Sequence, residues 1–295
     1  MTLQAVLARL PAGVEVIEGP RGVLAVRRDA RDALLRAGFS PADRPRFTDA
    51  DVAGRKPLGE LCLGEQRLLV REFHHGGLLR AVSGRRFARP ERPFEEMILA
   101  AELTERGIST PEVVAARAVR AGGIGWNLAL VTRRVEDAVD GMEAIGRWKR
   151  DAASASALRF VDALGMFLGA LHRVGLFHVD LHPKNLLVRG EGGELRFWIL
   201  DLDRSSLREG LRDGERRDLL ARFLRYLARR EEPESRVLSP RTLARFLRAY
   251  RRGLDGGGEA GRGWREDWRA LAPAAAKASL RHRFGWALEG LAGGS

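Results

Sequence analysis

Between Val14 and Val26 apolar and polar positions alternate, and the chain turns at Gly19-Pro20-Arg21-Gly22, the pattern of a β-hairpin. The loop Gly54-Arg55-Lys56-Pro57-Leu58-Gly59 then precedes two further short strands, predicted over Glu60 to Leu63 and Arg67 to Phe73. From Pro93 to Leu103 the apolar residues instead recur three and four apart, which predicts a helix ending near Gly107. A second strand pair, Val113 to Val119 and Trp126 to Arg133, is expected to turn at Gly122-Gly123. From Gly141 onward the pattern is mostly helical, clearest over Phe160 to Val174. It is interrupted by Leu186-Leu187-Val188 and Phe197-Trp198-Ile199-Leu200, two short strands around Gly190 to Gly193. Strands with one helix, followed by helices broken by a hairpin, predict an α+β chain of two lobes, residues 1–138 and 139–295, with the boundary within Val135 to Gly141.

The interrupting hairpin carries the chemistry. It is preceded by Phe177-His178-Val179-Asp180-Leu181-His182-Pro183-Lys184-Asn185 and ends in Ile199-Leu200-Asp201-Leu202-Asp203. Transfer of a phosphoryl group from ATP needs one carboxylate to receive or orient the acceptor hydroxyl, and oxygen ligands that hold magnesium against the triphosphate. A kinase catalytic loop places Asn five residues after its Asp, and a second Asp closes the next short strand. Asp180, Asn185 and Asp201 reproduce that spacing inside a helix, loop, strand, turn, strand frame. The lobes are therefore expected to be a small antiparallel β lobe that binds nucleotide and a larger, mostly helical catalytic lobe, a protein-kinase-like fold. Asp180 is the candidate base, and Asn185, Asp201 and Asp203 are the candidate metal ligands. His178 sits at the base of the loop and is expected to bond backbone. Lys184 and His182 lie between base and Asn, where a cation neutralises the transferred group; the histidine serves only if protonated or as a donor.

A kinase also needs a cation on the third strand of its small lobe, held by a helix carboxylate. No lysine is available there. In Leu68-Leu69-Val70-Arg71-Glu72 alternation puts Leu69 and Arg71 on one face, so Leu69 can roof the adenine while Arg71 reaches the phosphates. Lys56 in the upstream loop is the alternative cation. Glu95 and Glu96 are the candidate helix partners, with Glu96 on the apolar face shared by Leu99 and Leu103. Gly54 and Gly59 resemble a reduced phosphate-covering loop in which Arg55, Lys56 and Pro57 replace the usual glycines.

Length and composition set the remaining bounds. The 295 residues, 45% apolar, suffice for a packed core. One cysteine, Cys62, excludes an internal disulfide framework, and its run Leu61-Cys62-Leu63 predicts a small buried hydrophobe. The start Met1-Thr2-Leu3-Gln4-Ala5-Val6 does not read as a leader, and no apolar run reaches membrane-spanning length, which fits a cytoplasmic protein. A net charge of +12 favours anionic partners. Only Lys56, Lys149, Lys184 and Lys277 are lysines among 51 basic residues. Clusters such as Arg216-Arg217, Arg229-Arg230 and Arg251-Arg252 fall on helical patterns interleaved with acids and read as solvated faces, so nucleic acid is not expected as a partner. A helix starting at Ser239-Pro240 carries an Arg-rich face that can meet anionic lipid or glycan.

Together Arg71-Glu72-Phe73-His74-His75-Gly76-Gly77-Leu78-Leu79, Arg92-Pro93-Phe94-Glu95-Glu96, the His178 to Asn185 loop and Ile199-Leu200-Asp201-Leu202-Asp203-Arg204 resemble the bacterial lipopolysaccharide kinase family, the Kdo kinase and core heptose kinase group. The resemblance covers most of the chain. It implies ATP- and Mg2+-dependent phosphorylation of a sugar hydroxyl on a lipid A-Kdo or core oligosaccharide acceptor, Kdo first and heptose second. Asp180 would be the base and Asn185 and Asp201 the metal ligands, with Asp203 where protein kinases have Gly. Contact with the cytoplasmic face of the inner membrane is a further implied expectation. No long segment follows Asp203 to act as an activation loop. Two alternatives stay open: a phosphotransferase for another small hydroxyl compound or an atypical protein kinase, and a nucleotide-binding pseudokinase, motivated by the absent strand lysine.

Overall fold

The computed structural model describes residues 2–42, 48–49, 59–64, 66–74, 86–122, 124–149, 154–190, 194–228, 239–256 and 263–273. Two compact units divide it: Met1–Glu136 with Leu202–Arg204, and Asp137–Asp201 with Ser205–Ser295.

The first unit is built on seven antiparallel strands: β1 (Val14–Gly19), β2 (Gly22–Arg27), β3 (Thr48–Asp49), β4 (Gly59–Leu63), β5 (Gln66–Glu72), β6 (Val113–Arg120) and β7 (Trp126–Arg133). Their order is β1-β2-β6-β7-β5-β4-β3. Both faces of the sheet are covered, which is why β2 and β6 are buried almost without interruption. On one face Leu24, Val26, Leu68, Val70, Ala115, Ala129 and Val131 pack with Leu34 and Phe39. The helix Arg31–Arg36, absent from the sequence expectation, thereby supplies a lid for that face. The helix Arg92–Glu105 packs against β6 and β7 through a buried side that includes Phe94, Met97, Ile98 and Leu103. Each such side chain contributes about 1.5–3 kcal/mol of burial. Gly22 is required where β2 passes β6, because a Cβ there would lie 2.5 Å from the Ala118 carbonyl oxygen.

Cys62 departs from expectation. It is exposed, because alternation along β4 gives the core face to Leu61.

In the second unit the helix Ala155–Arg173 crosses the helix Pro240–Leu254 at backbone contact. Ser154 and Ser239 cap them, each side-chain oxygen accepting a main-chain N–H, from Ala157 at 3.0 Å and Thr242 at 3.1 Å. A Cβ on Gly169 would sit 2.1 Å from the Tyr250 carbonyl oxygen, so the helices approach only as glycine allows. Beside that crossing His172 Nδ1 and the Tyr250 hydroxyl lie 2.8 Å apart, both buried.

Asp267, 1% exposed, accepts from Arg251 at 2.6 and 2.9 Å and from Arg217 at 3.0 Å. Arg217 and Arg251 are thus turned inward to a shared carboxylate rather than solvated, a pairing that the sequence spacing conceals. Arg229 and Arg230 lie outside the described residues.

Among the described residues this unit also holds five short strands: β8 (Val139–Asp140), β9 (Leu176–Phe177), β10 (Leu186–Arg189), β11 (Arg196–Ile199) and β12 (Ser206–Leu207). β10 lies between β11 and β8, and β9 pairs with β12. These pairings fix both ends of the loop between β9 and β10.

Candidate active site

That loop holds the first candidate residues. His178 is 1% exposed. Its Nδ1 accepts from the Asp180 main-chain N–H at 3.2 Å, which leaves Nε2–H to donate to the Leu200 carbonyl at 2.9 Å. These two bonds assign the neutral tautomer, and burial lowers the pKa of the ring in the same sense. His178 therefore pins the start of the loop to the end of β11, one residue before Asp201. The turn Pro183–Asn185 closes the other end. There Asn185 Nδ2 donates to the Asp180 carbonyl at 2.9 Å, and the Leu200 N–H donates to the Asn185 carbonyl at 2.9 Å. Asp180, Asn185 and the residue leading into Asp201 thus form one hydrogen-bonded knot.

Within the knot Asp180 and Asp201 are both exposed residues. The Asp180 side chain is 67% exposed, with His182 Nε2 at 3.4 Å from its Oδ2. Asp201 is exposed and adopts a left-handed backbone, φ 55°. A non-glycine residue held there costs roughly 1–2 kcal/mol, and such strain gathers where a side chain must be aimed. Lys184 is half-buried in the closing turn. His182 is also half-buried, its ring stacked on Tyr226 with centroids 4.6 Å apart. Burial lowers the His182 pKa, so its candidacy as a protonated phosphoryl cation loses support.

In the first unit Arg71 pairs with Glu96, tying β5 to the helix Arg92–Glu105. Glu96 is 5% exposed, and the Arg71 guanidinium also lies 4.6 Å over the Phe73 ring. Glu95, the other candidate, bonds Arg89 at 2.8 Å instead. Leu69 is half-buried and alternates with Leu68 and Val70, which face the core, so it shares the face of Arg71. Lys56 and Gly54 lie outside the described residues.

Asp203 is committed elsewhere: both of its oxygens accept from Arg92, Nε donating to Oδ1 at 3.0 Å and Nη2 to Oδ2. A metal would have to displace this two-point ion pair, so Asp203 does not stand as a free ligand.

Among the described residues no three acidic, histidine or cysteine side chains gather into a metal site. Magnesium takes one or two protein oxygens and completes its shell with phosphate oxygens and water. Asn185 and Asp201 supply hard oxygen donors of that kind. Sequence reasoning quoted Arg92 only within a motif and gave no role to its side chain, to Tyr226 or to Arg222, whose guanidinium bonds the Val179 carbonyl. Arg222 and Tyr226 stand four apart on the helix Asp213–Ala228, a spacing that names a shared face but not what the face meets.

An antiparallel sheet in which Arg71 on β5 pairs with a helix glutamate, in the first unit, and a catalytic-type Asp-to-Asn loop and hairpin, in the second, are the features of a protein-kinase-like phosphotransferase. The model of the lipopolysaccharide kinase (Kdo/WaaP) family matches residues 61–250. The chain belongs to that family, and so to the phosphotransferases whose acceptor is a sugar hydroxyl. It is 28% identical over 186 residues to a 3-deoxy-D-manno-octulosonic acid kinase of Xylella fastidiosa (strain 9a5c), covering 62% of this chain and 70% of that one. A protein of the same name from Vibrio vulnificus (strain YJ016) is 28% identical over 134 residues, 45% of this chain and 52% of that one. Among solved structures, WaaP in complex with acyl carrier protein matches with a TM-score of 0.58 at 18% identity, covering 88% of this chain and 98% of that one. This last likeness speaks to the fold, α+β and kinase-like.

Proposed function

We propose that the chain transfers the γ-phosphoryl group of ATP to a hydroxyl of the lipopolysaccharide inner core, with Kdo the first acceptor and heptose the second. The similarity to Kdo kinases supports the first choice. Asp180 takes the proton of the attacking hydroxyl as its oxygen bonds to the γ-phosphorus and the bond to ADP breaks. Asn185 and Asp201 hold magnesium, which neutralises charge on the phosphates when bound. Lys184 supplies a fixed cation to the transferred group, while Arg71, steadied by Glu96, grips the nucleotide phosphates and Leu69 meets the adenine.

One observation carries this reading: the knot in which His178 and Asn185 lock the main chain around Asp180 and Asp201 while leaving both carboxylates exposed. Partner-binding alone gives no reason to fix two solvent-facing acids in this way.

The acceptor is lipid-linked, so the proposal includes a cytoplasmic enzyme meeting the inner-membrane surface. Arg241, Arg248 and Arg252 on the helix Pro240–Leu254 are exposed and suit anionic headgroups. No described helix is long and apolar enough to cross a membrane. The test is ATP consumption with magnesium, with and without Kdo-bearing lipid A or a heptosylated core. Turnover should depend on one of these acceptors and vanish in Asp180→Ala; equal turnover in that variant would sink the proposal.

A further inference from the structure

The carboxylate proposed as base has little to hold it. Asp180 is two-thirds exposed, and among the described residues the one side chain recorded against its carboxylate is His182, Nε2 at 3.4 Å from Oδ2. A solvent-facing aspartate free to rotate about its side-chain bonds would spend much of its time out of line with an acceptor hydroxyl. His182 is itself fixed by packing: its ring lies on Tyr226 at 4.6 Å with 19° between the planes. Nδ1 of His182 is buried with no hydrogen-bond partner among the described residues, so the proton of the neutral ring belongs on Nε2, where Asp180 can accept it. Tyr226 comes from the helix Asp213–Ala228, and Arg222, one turn earlier, bonds the carbonyl of Val179 next to Asp180. One helix face therefore steadies the loop on both sides of the aspartate.

We infer that Tyr226 and His182 are positioning residues for phosphoryl transfer: the phenol ring holds the imidazole flat, and the imidazole Nε2–H holds Asp180 Oδ2, leaving Oδ1 for the acceptor hydroxyl. This rests on the reading of Asp180 as base. It changes the role of His182 from a cation on the phosphoryl group to a neutral donor to the aspartate. It also brings in Tyr226, which acts through the imidazole it stacks on.

Displacement of a catalytic group by about 1 Å can cost on the order of 100-fold in rate. Removal of the stacking platform should therefore lower kcat about 10- to 100-fold and leave the KM for ATP unchanged. The experiment uses the full chain with Kdo-bearing lipid A, or the heptosylated core if that is the acceptor used, and compares Tyr226→Leu, Tyr226→Phe, His182→Phe and His182→Gln. Tyr226→Phe keeps the ring and should keep kcat, whereas Tyr226→Leu should lose it. His182→Phe keeps the stack but removes the donor and should fall as far as Tyr226→Leu. His182→Gln restores a donor and should recover part of the loss. Arg225→Ala, on an exposed position of the same helix, is the control for the helix surface.

Should Tyr226→Leu misfold, His182→Phe still carries the test, because it preserves the packing. Wild-type kcat in both, with Asp180→Asn inactive, would overturn the inference and leave the base assignment standing. A raised KM for ATP at unchanged kcat would overturn it as well. Full activity in Asp180→Asn would remove the base assignment, and the inference with it.

Discussion

Two adjacent glutamates of the helix Arg92–Glu105 sit in opposite circumstances, and their removal should separate a functional carboxylate from a surface one. Glu96 is 5% exposed and paired to Arg71, whose side chain is 28% exposed. Glu96→Ala takes away a charge-assisted hydrogen bond worth about 1.5–3 kcal/mol. The cost stays below the roughly 3–5 kcal/mol of a pair buried on both sides, because the Arg71 guanidinium can turn to water and still rest on Phe73. At about 2–4 °C per kcal/mol, the first unit should melt several degrees lower. On the proposed role of Arg71 in gripping the nucleotide phosphates, loss of Glu96 leaves its guanidinium unsteadied against them. Since about 1.4 kcal/mol corresponds to a factor of ten, kcat/KM for ATP should fall about 10- to 100-fold. Glu95 bonds Arg89, itself 60% exposed, and such surface pairs are worth at most about 1 kcal/mol. Glu95→Ala should therefore leave both melting and kinetics near wild type. The assay is initial rate against ATP at saturating acceptor, with a thermal melt of each variant. If Glu96→Ala loses stability but retains wild-type kcat/KM for ATP, the pair is structural and Arg71 does not grip the phosphates.

Other expectations test separate parts of the account. Gly169→Ala places a Cβ 2.1 Å from the Tyr250 carbonyl oxygen, so overpacking of about 1–3 kcal/mol should exceed the helix-propensity gain of at most about 1 kcal/mol and lower the denaturation midpoint of the second unit. A stabilised variant would show that the helices can separate at little cost. Asp201→Asn should raise the magnesium concentration needed for half-maximal activity while leaving the far-ultraviolet spectrum intact; an unchanged magnesium dependence removes Asp201 from the ligand set. Burial, with Arg216 adding to it, lowers the His172 pKa from 6.5 to about 3. As pH falls below 6.5 the unfolded chain binds a proton that the folded protein refuses. Stability should then drop by about 1.4 kcal/mol per pH unit from this group until about pH 3, with full stability above 6.5. Denaturant melts from pH 7 to 4 should show at least that slope, since His178 and His182 are lowered in the same sense, and His172→Asn should reduce it by about 1.4 kcal/mol per pH unit.

The pattern of apolar positions already contained most of the strands and the long helices, because period two and period 3.6 survive in any single sequence. The Arg71–Glu96 pair was within reach for the same reason: alternation on β5 put Arg71 first, with Lys56 as the alternative, and the apolar face beside Leu99 and Leu103 singled out Glu96 from the candidates Glu95 and Glu96. What stayed hidden depends on contacts distant in sequence. Asp203 read as a metal ligand from its place beside Asp201, and only its meeting with Arg92, 111 residues earlier, shows both oxygens engaged. Arg217 and Arg251 read as solvated because Asp267, which draws them inward, lies 50 and 16 residues further on. Cys62 followed its strand rather than its polarity. Tyr226 carried no signal, since an aromatic residue on an amphipathic helix is ordinarily core.

The most direct test of the central claim is transfer of labelled γ-phosphate from ATP to Kdo-bearing lipid A by the purified chain with magnesium, run beside Asp180→Asn and beside a heptosylated core acceptor. Label is expected on the Kdo acceptor with the wild-type chain and none with Asp180→Asn. Label on neither acceptor, or equal labelling by the variant, would contradict it.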